Sequence, residues 1–466
     1  MQPRNTSKKK RILILKEEYK FLDYKNVMNL DNNGWKTGKY ELFLGEELGL
    51  HDSMNRPYPQ LFDLFKRLKS LDWAEDEIEL EKSRLDFLSC DKNSYDVMIK
   101  TLSFQYEADS LASRSIISLF APFISNSDLS QMMMKWSENE ALHALTYSEI
   151  IRQCIPVPDD IFEEILADKN ITDRSRIIAE SFSKLKMLGA KYTLDKDSVD
   201  RKEVQKTILL SLSALYCLEA LEFMASFSCT FSLAERDLFE GVASLVQKIM
   251  IDEQIHSKMD EAILDILLAD AEWLQVYEDI KPEVQELVDS VYTQELSWSE
   301  YIFEDGRSIL GLTTPLLKDW VTYKAEAIYD KLSLVKPFKS VKDNPLKWMD
   351  KWEDIDSNQQ SAQEVSLNNY RLNSVIDDIK DELIFDFGSR DKKLPDKVMV
   401  YSKEDCPYCI KIKDFLDNKG VLFEEVDVNT SGKDYLVDKG FTTVPQVFTV
   451  DGNYLGDCTT IINNYG

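Results

Sequence analysis

Histidine is scarce in this chain: there are three, His51, His143 and His256. Two of them share one local pattern, Glu140-Ala-Leu-His143 and Glu253-Gln-Ile-His256. On a helix, a Glu three residues before a His puts carboxylate and imidazole on one face, less than a turn apart. A further acid precedes each motif at a similar distance: Asp109 stands 31 residues before Glu140, and Glu219 stands 34 before Glu253. Asp109 has Tyr106, Ala108 and Leu111 for neighbours, and Glu219 has Leu218, Ala220, Leu221 and Phe223. An acid in such apolar company is costly unless it is paired or bound to metal. Carboxylate then Glu-x-x-His, occurring twice, is the ligand set of a dinuclear metal site inside a helical bundle. Four carboxylates and two imidazoles make a hard, oxygen-rich set that favours Fe or Mn over thiolate-loving metals. A second reactive pattern is Cys406-Pro407-Tyr408-Cys409. Cys-x-x-Cys reads either as half a zinc site or as a redox dithiol. No second pair and no histidine lies within residues 396–466, which favours the dithiol. A thiol at a helix N-terminus has its thiolate stabilised by unsatisfied N–H groups, which suits Cys406 as nucleophile and Cys409 as resolver.

These groups need elements to hold them. The 466 residues allow about two to four domains. Residues 1–60 read as an irregular N-terminal arm, with turn signals at Asn32-Asn33-Gly34 and Asn55-Arg56-Pro57. From about Gln60 to Ile328 the apolar spacing is helical, as in Leu61, Leu64, Phe65, Leu68 and Leu71, so residues 61–340 form a mostly helical domain of bundle size. Residues 341–395 turn polar and charged, with Gln359-Gln360-Ser361-Ala362-Gln363 reading as flexible linker. Short apolar strands at Val398–Tyr401, Val421–Val428 and Gln446–Val450, with a hairpin turn at Asp451-Gly452, make 396–466 a small α/β domain. Its Thr443-Val444-Pro445 places a proline opposite the cysteines.

Composition excludes several function classes. Apolar residues make up 44%, enough for a large core, and the formal net charge is −27. A general nucleic-acid surface needs a basic footprint, so none is expected. No uninterrupted apolar run approaches the ~18 residues of a membrane span, the longest being around Ile116–Ile124. The basic start at Lys8, Lys9, Lys10 and Arg11 is followed by an apolar stretch, Ile12–Leu15, too short for a secretory signal. Seven cysteines, odd and sparse, make no disulfide framework. A cytoplasmic location is expected, that of a host cell were the source viral.

Residues from about 35 to 370 resemble the radical-generating small subunit of class I ribonucleotide reductase. The likeness runs through Leu42-Phe-Leu-Gly45, Trp73 with its following acids, Asp109-Ser110, Trp136…Glu140-x-x-His143-x-x-x-Tyr147, Glu219-Ala-Leu-Glu-Phe223, Phe231…Ala234-Glu235-Arg236 and Asp252-Glu253-x-x-His256. It implies a ferritin-like helical bundle with a carboxylate-bridged pair of Fe ions, or Mn, on Asp109, Glu140, His143, Glu219, Glu253 and His256. It implies a radical on Tyr147 in a dry pocket lined by Phe223 and Phe227. It also implies an electron-transfer chain from His143 through Asp252 to Trp73, and a relay tyrosine, Tyr370, with its acid Glu364, on a mobile tail. A homodimer and a separate catalytic subunit that reduces ribonucleoside diphosphates follow from the same resemblance. In the family a tail peptide docks on that subunit; Asp377–Phe387, acids spaced by Ile379, Leu383, Ile384, Phe385 and Phe387, has the pattern of such a peptide.

Residues 396–466 resemble glutaredoxin, a thioredoxin-fold domain with a cis-proline loop. That resemblance implies glutathione as reductant, held by Lys403, Tyr408, Thr443, Val444, Pro445 and Asp457. Gly456-Asp457-Cys458 only partly matches the family's double-glycine turn, and eight residues follow it, so a curtailed last helix is expected. The combined reading is a reductase small subunit fused to its reductant. Its rival is a ferritin-like di-iron oxidase or iron store with a redox module, which accounts for six ligands but not for Tyr147, Trp73 and Tyr370 in register.

Overall fold

The computed structural model describes residues 28–354 and 394–465, apart from Asp405 and Thr442. The chain divides into two compact units, Met1–Tyr370 and Arg371–Gly466. The longer helices of the first are α1 (Pro59–Ser70), α2 (Glu81–Ser89), α3 (Lys92–Ala112), α4 (Ser127–Cys154), α5 (Pro158–Ala167), α6 (Arg176–Leu194), α7 (Arg201–Ala234), α8 (Glu240–Leu268), α9 (Ala271–Tyr301) and α10 (Thr314–Lys331). Side-chain caps fix several starts. Asp91 accepts from the backbone N–H groups of Asn93 and Ser94 at α3, and Asn126 accepts from that of Leu129 at α4. Each cap satisfies donors that a helix start leaves orphaned.

Four helices close around the first unit's centre: α3 packs on α4 and on the second half of α7, and α8 packs on both α4 and α7. Phe104, Trp136, Leu212, Phe227, Ile249 and Met259 are buried between them. Burying a side chain of this size is worth roughly 1.5–3 kcal/mol, so this core dominates the unit's stability. Among the described residues α7 is long and apolar enough to cross a membrane, which amends the expectation drawn from uninterrupted runs: its serines, Glu219 and Glu222 break every run. Of its most apolar window 89% is buried inside the unit, so that apolarity belongs to a central core helix. The helix is not regular. Leu218–Glu222 forms a π-turn between Arg201–Cys217 and Phe223–Ala234, a feature that gathers at functional sites.

Both expected boundaries of the helical domain move outward. Residues 28–60 are irregular but not a separate arm: Leu42, Phe43 and Leu44 are core, and Leu44 N–H donates to the Phe123 carbonyl at 2.8 Å. Residues 341–354, expected in the linker, pack as well. Leu346 and Met349 are buried, and Trp352 stacks on Phe231 at 4.5 Å while its indole N–H donates to Glu235 Oε1 at 2.8 Å. Polar composition hid these widely spaced apolar anchors. The rest of that segment, with Glu364, Tyr370 and Asp377–Phe387, lies outside the described residues.

The second unit runs β1 (Lys397–Ser402), α11 (Pro407–Asn418), β2 (Leu422–Asp427), α12 (Lys433–Asp438), β3 (Gln446–Thr449), β4 (Tyr454–Asp457), α13 (Cys458–Tyr465). Its sheet has the order β2-β1-β3-β4, with β1 and β2 parallel and the other pairs antiparallel. Val398 and Val400 face Ile412, Leu416, Val447 and Ile461 in its core. The hairpin turn falls at Asp451-Gly452, where Gly452 takes φ 86° and its N–H donates to the Thr449 carbonyl at 2.9 Å; a positive φ costs glycine little. Strand β4 has no sequence signature, since four residues with one buried position carry no readable alternation. The last helix is short, at eight residues.

Candidate metal centre and dithiol site

Helix α3 brings Asp109 to the middle of the bundle, α4 brings Glu140 and His143, the π-turn of α7 brings Glu219, and α8 brings Glu253 and His256. All six are 0% exposed. Their ligand atoms form two overlapping groups, Asp109–Glu140–His143–Glu253 and Glu140–Glu219–Glu253–His256, each with its atoms within 4.8 Å of one another. Glu140 and Glu253 belong to both, as carboxylates bridging two cations would. His143 Nδ1 lies 3.0 Å from Glu253 Oε1 and 3.6 Å from Glu140 Oε2. His256 Nδ1 lies 2.8 Å from Glu140 Oε1, 2.9 Å from Glu253 Oε2 and 3.3 Å from Glu219 Oε2.

The far nitrogens of both rings are held. His143 Nε2 is 3.2 Å from Asp252 Oδ2, which also accepts from the Trp73 indole N–H at 2.8 Å and from Asn139 Nδ2 at 3.0 Å. Asn139 Oδ1 in turn faces His256 Nε2 at 2.9 Å. A carboxylate and an amide oxygen only accept, so each ring keeps a proton on Nε2, and in its neutral form would offer the Nδ1 lone pair to a cation among the acids. That is the orientation a metal ligand needs.

Packing six titratable groups in a dry centre shifts their protonation. Burial, then the charges of Glu140 and Glu253, pushes Asp109 well above the usual carboxylate range. Burial, then Glu253 and Glu140, does the same to Glu219. Burial alone would lower the imidazoles, but the acids outweigh it: His143 rises well above its ordinary value and His256 rises to about 9. Glu253 is held low against burial by the neighbouring Glu219 and by both histidines. Both oxygens of Asp109 and of Glu219, with Glu140 Oε2, Glu253 Oε1 and His143 Nδ1, have no hydrogen-bond partner. Each such buried atom costs roughly 1–3 kcal/mol. Their convergence, and the hard donor set, fit a pair of Fe or Mn ions.

Tyr147 lies one turn beyond His143 on α4, 0% exposed, with its hydroxyl unpartnered. Burial, then the charges of Asp109, Glu253 and Glu140, pushes this phenol well above its ordinary range. Phe223 and Phe227 are buried and stacked on each other at 5.5 Å. The third histidine, His51, is exposed and stands apart from the cluster.

In the second unit Cys406 caps α11, its Sγ accepting from the Cys409 backbone N–H at 3.3 Å. The two cysteines form a disulfide with Cα atoms 5.2 Å apart, and the Val444–Pro445 peptide is cis. Cys406 Sγ lies 3.9 Å from the Val444 carbonyl oxygen. Lys403, Cys406, Tyr408, Thr443 and Val444 line one cavity of about 740 Å³. Of the six residues expected around glutathione, Pro445 and Asp457 are absent from that lining. The Asp457 carboxylate instead accepts from the Thr460 N–H at 2.8 Å, in the first turn of α13.

The family model "Ribonucleotide reductase, small chain" matches residues 52–345, more than half the chain. The chain belongs to the ribonucleotide reductase small-chain family. Residues 398–455 match the glutaredoxin family model. A ribonucleoside-diphosphate reductase subunit beta of Buchnera aphidicola subsp. Baizongia pistaciae is 29% identical over 353 residues, 73% of this chain and 93% of that protein. Nearly all of that relative is thus covered, while part of this chain is left over. The ribonucleotide reductase R2 subunit of Clostridium botulinum aligns with TM-score 0.59 at 19% identity, over 68% of this chain and 95% of that one. A dimanganese(II)-NrdF of Streptococcus sanguinis aligns with TM-score 0.53 at 17% identity, over 66% and 99%. At these identities the two structures speak for the fold alone.

One residue of the small-chain site, Asn139, escaped sequence reasoning, and Trp136 entered it as a motif residue without a role. Asn139 joins the two histidines through Asp252, and Trp136 stacks on His256 at 5.0 Å while its indole N–H donates to Glu140 Oε1 at 3.1 Å. The signal was present: residues 136, 139, 140, 143 and 147 follow the spacing of one helix face.

Proposed function

We propose that this chain is the radical-generating small subunit of a class I ribonucleotide reductase, with a dinuclear Fe centre, Mn being the alternative, and a fused glutaredoxin that reduces the same enzyme. The observation that carries this reading is the six-ligand cluster with Tyr147 buried and unpartnered one turn away. An iron store needs the ligands but neither that tyrosine nor a tryptophan hydrogen-bonded to the carboxylate behind His143. The bound metal pair supplies one-electron oxidising power. Tyr147 would store it by giving up an electron to that pair and its phenolic proton to a neighbouring acceptor, and of the charges around the phenol that of Asp109 bears on it most. Complete burial keeps water and reductants from the oxidised ring. Trp73, half-buried, and Asp252 connect the His143 ring outward through contacts of 2.8 and 3.2 Å.

The nucleotide chemistry belongs to a separate catalytic subunit, reached through Tyr370 on the tail, with the small subunit acting as a homodimer. After loading with Fe(II) and oxygen, the full-length protein should give a tyrosyl signal in electron paramagnetic resonance and support diphosphate reduction by that subunit. Iron oxidation with neither result would return the protein to the ferritin-like class. Trp73→Phe should leave metal content unchanged but cut turnover at least about tenfold, equivalent to roughly 1.4 kcal/mol on the transfer step. Unaltered turnover would remove Trp73 from the path.

The dithiol unit serves the same reaction, because each turnover oxidises a cysteine pair in the catalytic subunit. Docking through Asp377–Phe387 would hold Cys406 near that pair at roughly mM effective concentration. A peptide of residues 371–388 should therefore compete with the intact protein for the catalytic subunit. Cys406→Ser should leave the tyrosyl signal intact, slow turnover when glutathione is the sole reductant, and be rescued by an added dithiol. No competition, or no slowing, would mean that the fused unit does not work through docking.

A further inference from the structure

Helix α7 does not pass the metal cluster as a regular helix, because Leu218–Glu222 widens into a π-turn. Such a turn inserts one residue into the ladder, about 100° of rotation, between the segments on either side. Glu219 lies inside the turn, and Phe223 and Phe227 follow it. The turn therefore decides whether carboxylate and rings point inward together.

Arg174 meets this turn from the segment before α6. It is 2% exposed, and its Nη2 donates to the backbone carbonyl of Glu222, the last residue of the turn. The same guanidinium grips Glu295 of α9 with two bonds, Nε to Oε1 and Nη2 to Oε2, the second at 2.5 Å. Its central carbon lies 3.5 Å from the ring centre of Phe104, on the helix that carries Asp109, and 4.2 Å from that of Trp298. Glu295 is 0% exposed. A buried ion pair is weak evidence for stability, since desolvation offsets the attraction. A forked guanidinium packed against two aromatic rings fixes geometry. What it fixes here is a carbonyl of the turn that presents Glu219.

We infer that Arg174 is a positioning residue for the metal centre: gripped by Glu295, Phe104 and Trp298, it holds the π-turn through the Glu222 carbonyl and so sets the aim of Glu219. This rests on the metal-centre reading above. The Glu222 side chain does not compete for the guanidinium: neither of its oxygens has a hydrogen-bond partner.

Arg174→Lys keeps the charge but loses the fork that spans Glu295 and the carbonyl. The test is a Mn(II) titration of the full-length chain, following free Mn(II) by electron paramagnetic resonance, with Glu219→Ala marking the step that depends on that ligand. The wild type should take up two ions per chain. Arg174→Lys should bind the Glu219-dependent ion at least about tenfold more weakly, the scale of losing a ligand's support, and leave the other ion unchanged. Glu295→Gln, which keeps the volume and one acceptor, should shift the same step in the same direction, and it carries the test if Arg174→Lys fails to fold. General destabilisation would weaken both steps alike, so equal losses, or no loss, in a folded variant overturn the inference. Uptake of fewer than two ions by the wild type would take down the metal-centre reading and this inference with it.

Discussion

Tyr147→Phe should abolish the tyrosyl signal and all reductase activity while leaving the protein as stable as the wild type, or more so. The ring keeps its volume, so the core around α4 is undisturbed. The hydroxyl has no hydrogen-bond partner in its fully buried position, so removing it orphans nothing. It relieves a desolvation cost of roughly 1–3 kcal/mol. Loss of function therefore separates from loss of structure, which a cavity-forming substitution could not achieve. The checks are metal content, a thermal melt, electron paramagnetic resonance and turnover with the catalytic subunit. Residual turnover near the wild-type rate would place the stored oxidant elsewhere than on Tyr147.

The second large effect is expected at Glu140. Because it belongs to both ligand groups, Glu140→Ala should weaken both metal positions, by at least about 100-fold each, whereas Asp109→Ala should weaken one. It also strips the Trp136 indole N–H of its acceptor. The clearest measurement is the stabilisation that metal confers. A ligand at 100 times its dissociation constant adds about 2.7 kcal/mol to a folded protein; for Glu140→Ala that increment should vanish, while Asp109→Ala retains part of it. Equal metal-induced stabilisation in Glu140→Ala and wild type would mean that Glu140 bridges nothing.

The six clustered side chains were legible because they are written in short-range spacing. Glu-x-x-His needs only one helix to be meaningful, and the acids Asp109 and Glu219 betray themselves by apolar neighbours. The Cys406–Cys409 pair and the Asp451-Gly452 turn are local in the same sense. What could not be read depends on distant partners or on a single inserted residue. Arg174 and Glu295 meet across 121 positions, and no periodicity links them. The π-turn changes the ladder by one residue, which leaves the apolar pattern of α7 almost intact. Leu346, Met349 and Trp352 sit among charges, so composition described them as linker although the first two are core. Asn139, next to Glu140, carries no sequence signal of its own, because an amide looks inert.

That amide has a consequence for the two halves of the centre. In sequence they look like copies, yet behind the ligands they differ: His143 leans on the carboxylate of Asp252, and His256 leans on the neutral oxygen of Asn139. An anionic backing makes an imidazole the stronger electron donor, and a neutral one does not. Two cations held there would therefore meet unequal surroundings along the axis joining them, the more electron-rich on the side of Trp73. Ions of unequal charge or kind would sort themselves along that axis, and a single amide, hydrogen-bonded to Asp252 through its nitrogen and to His256 through its oxygen, keeps the two ends from exchanging roles.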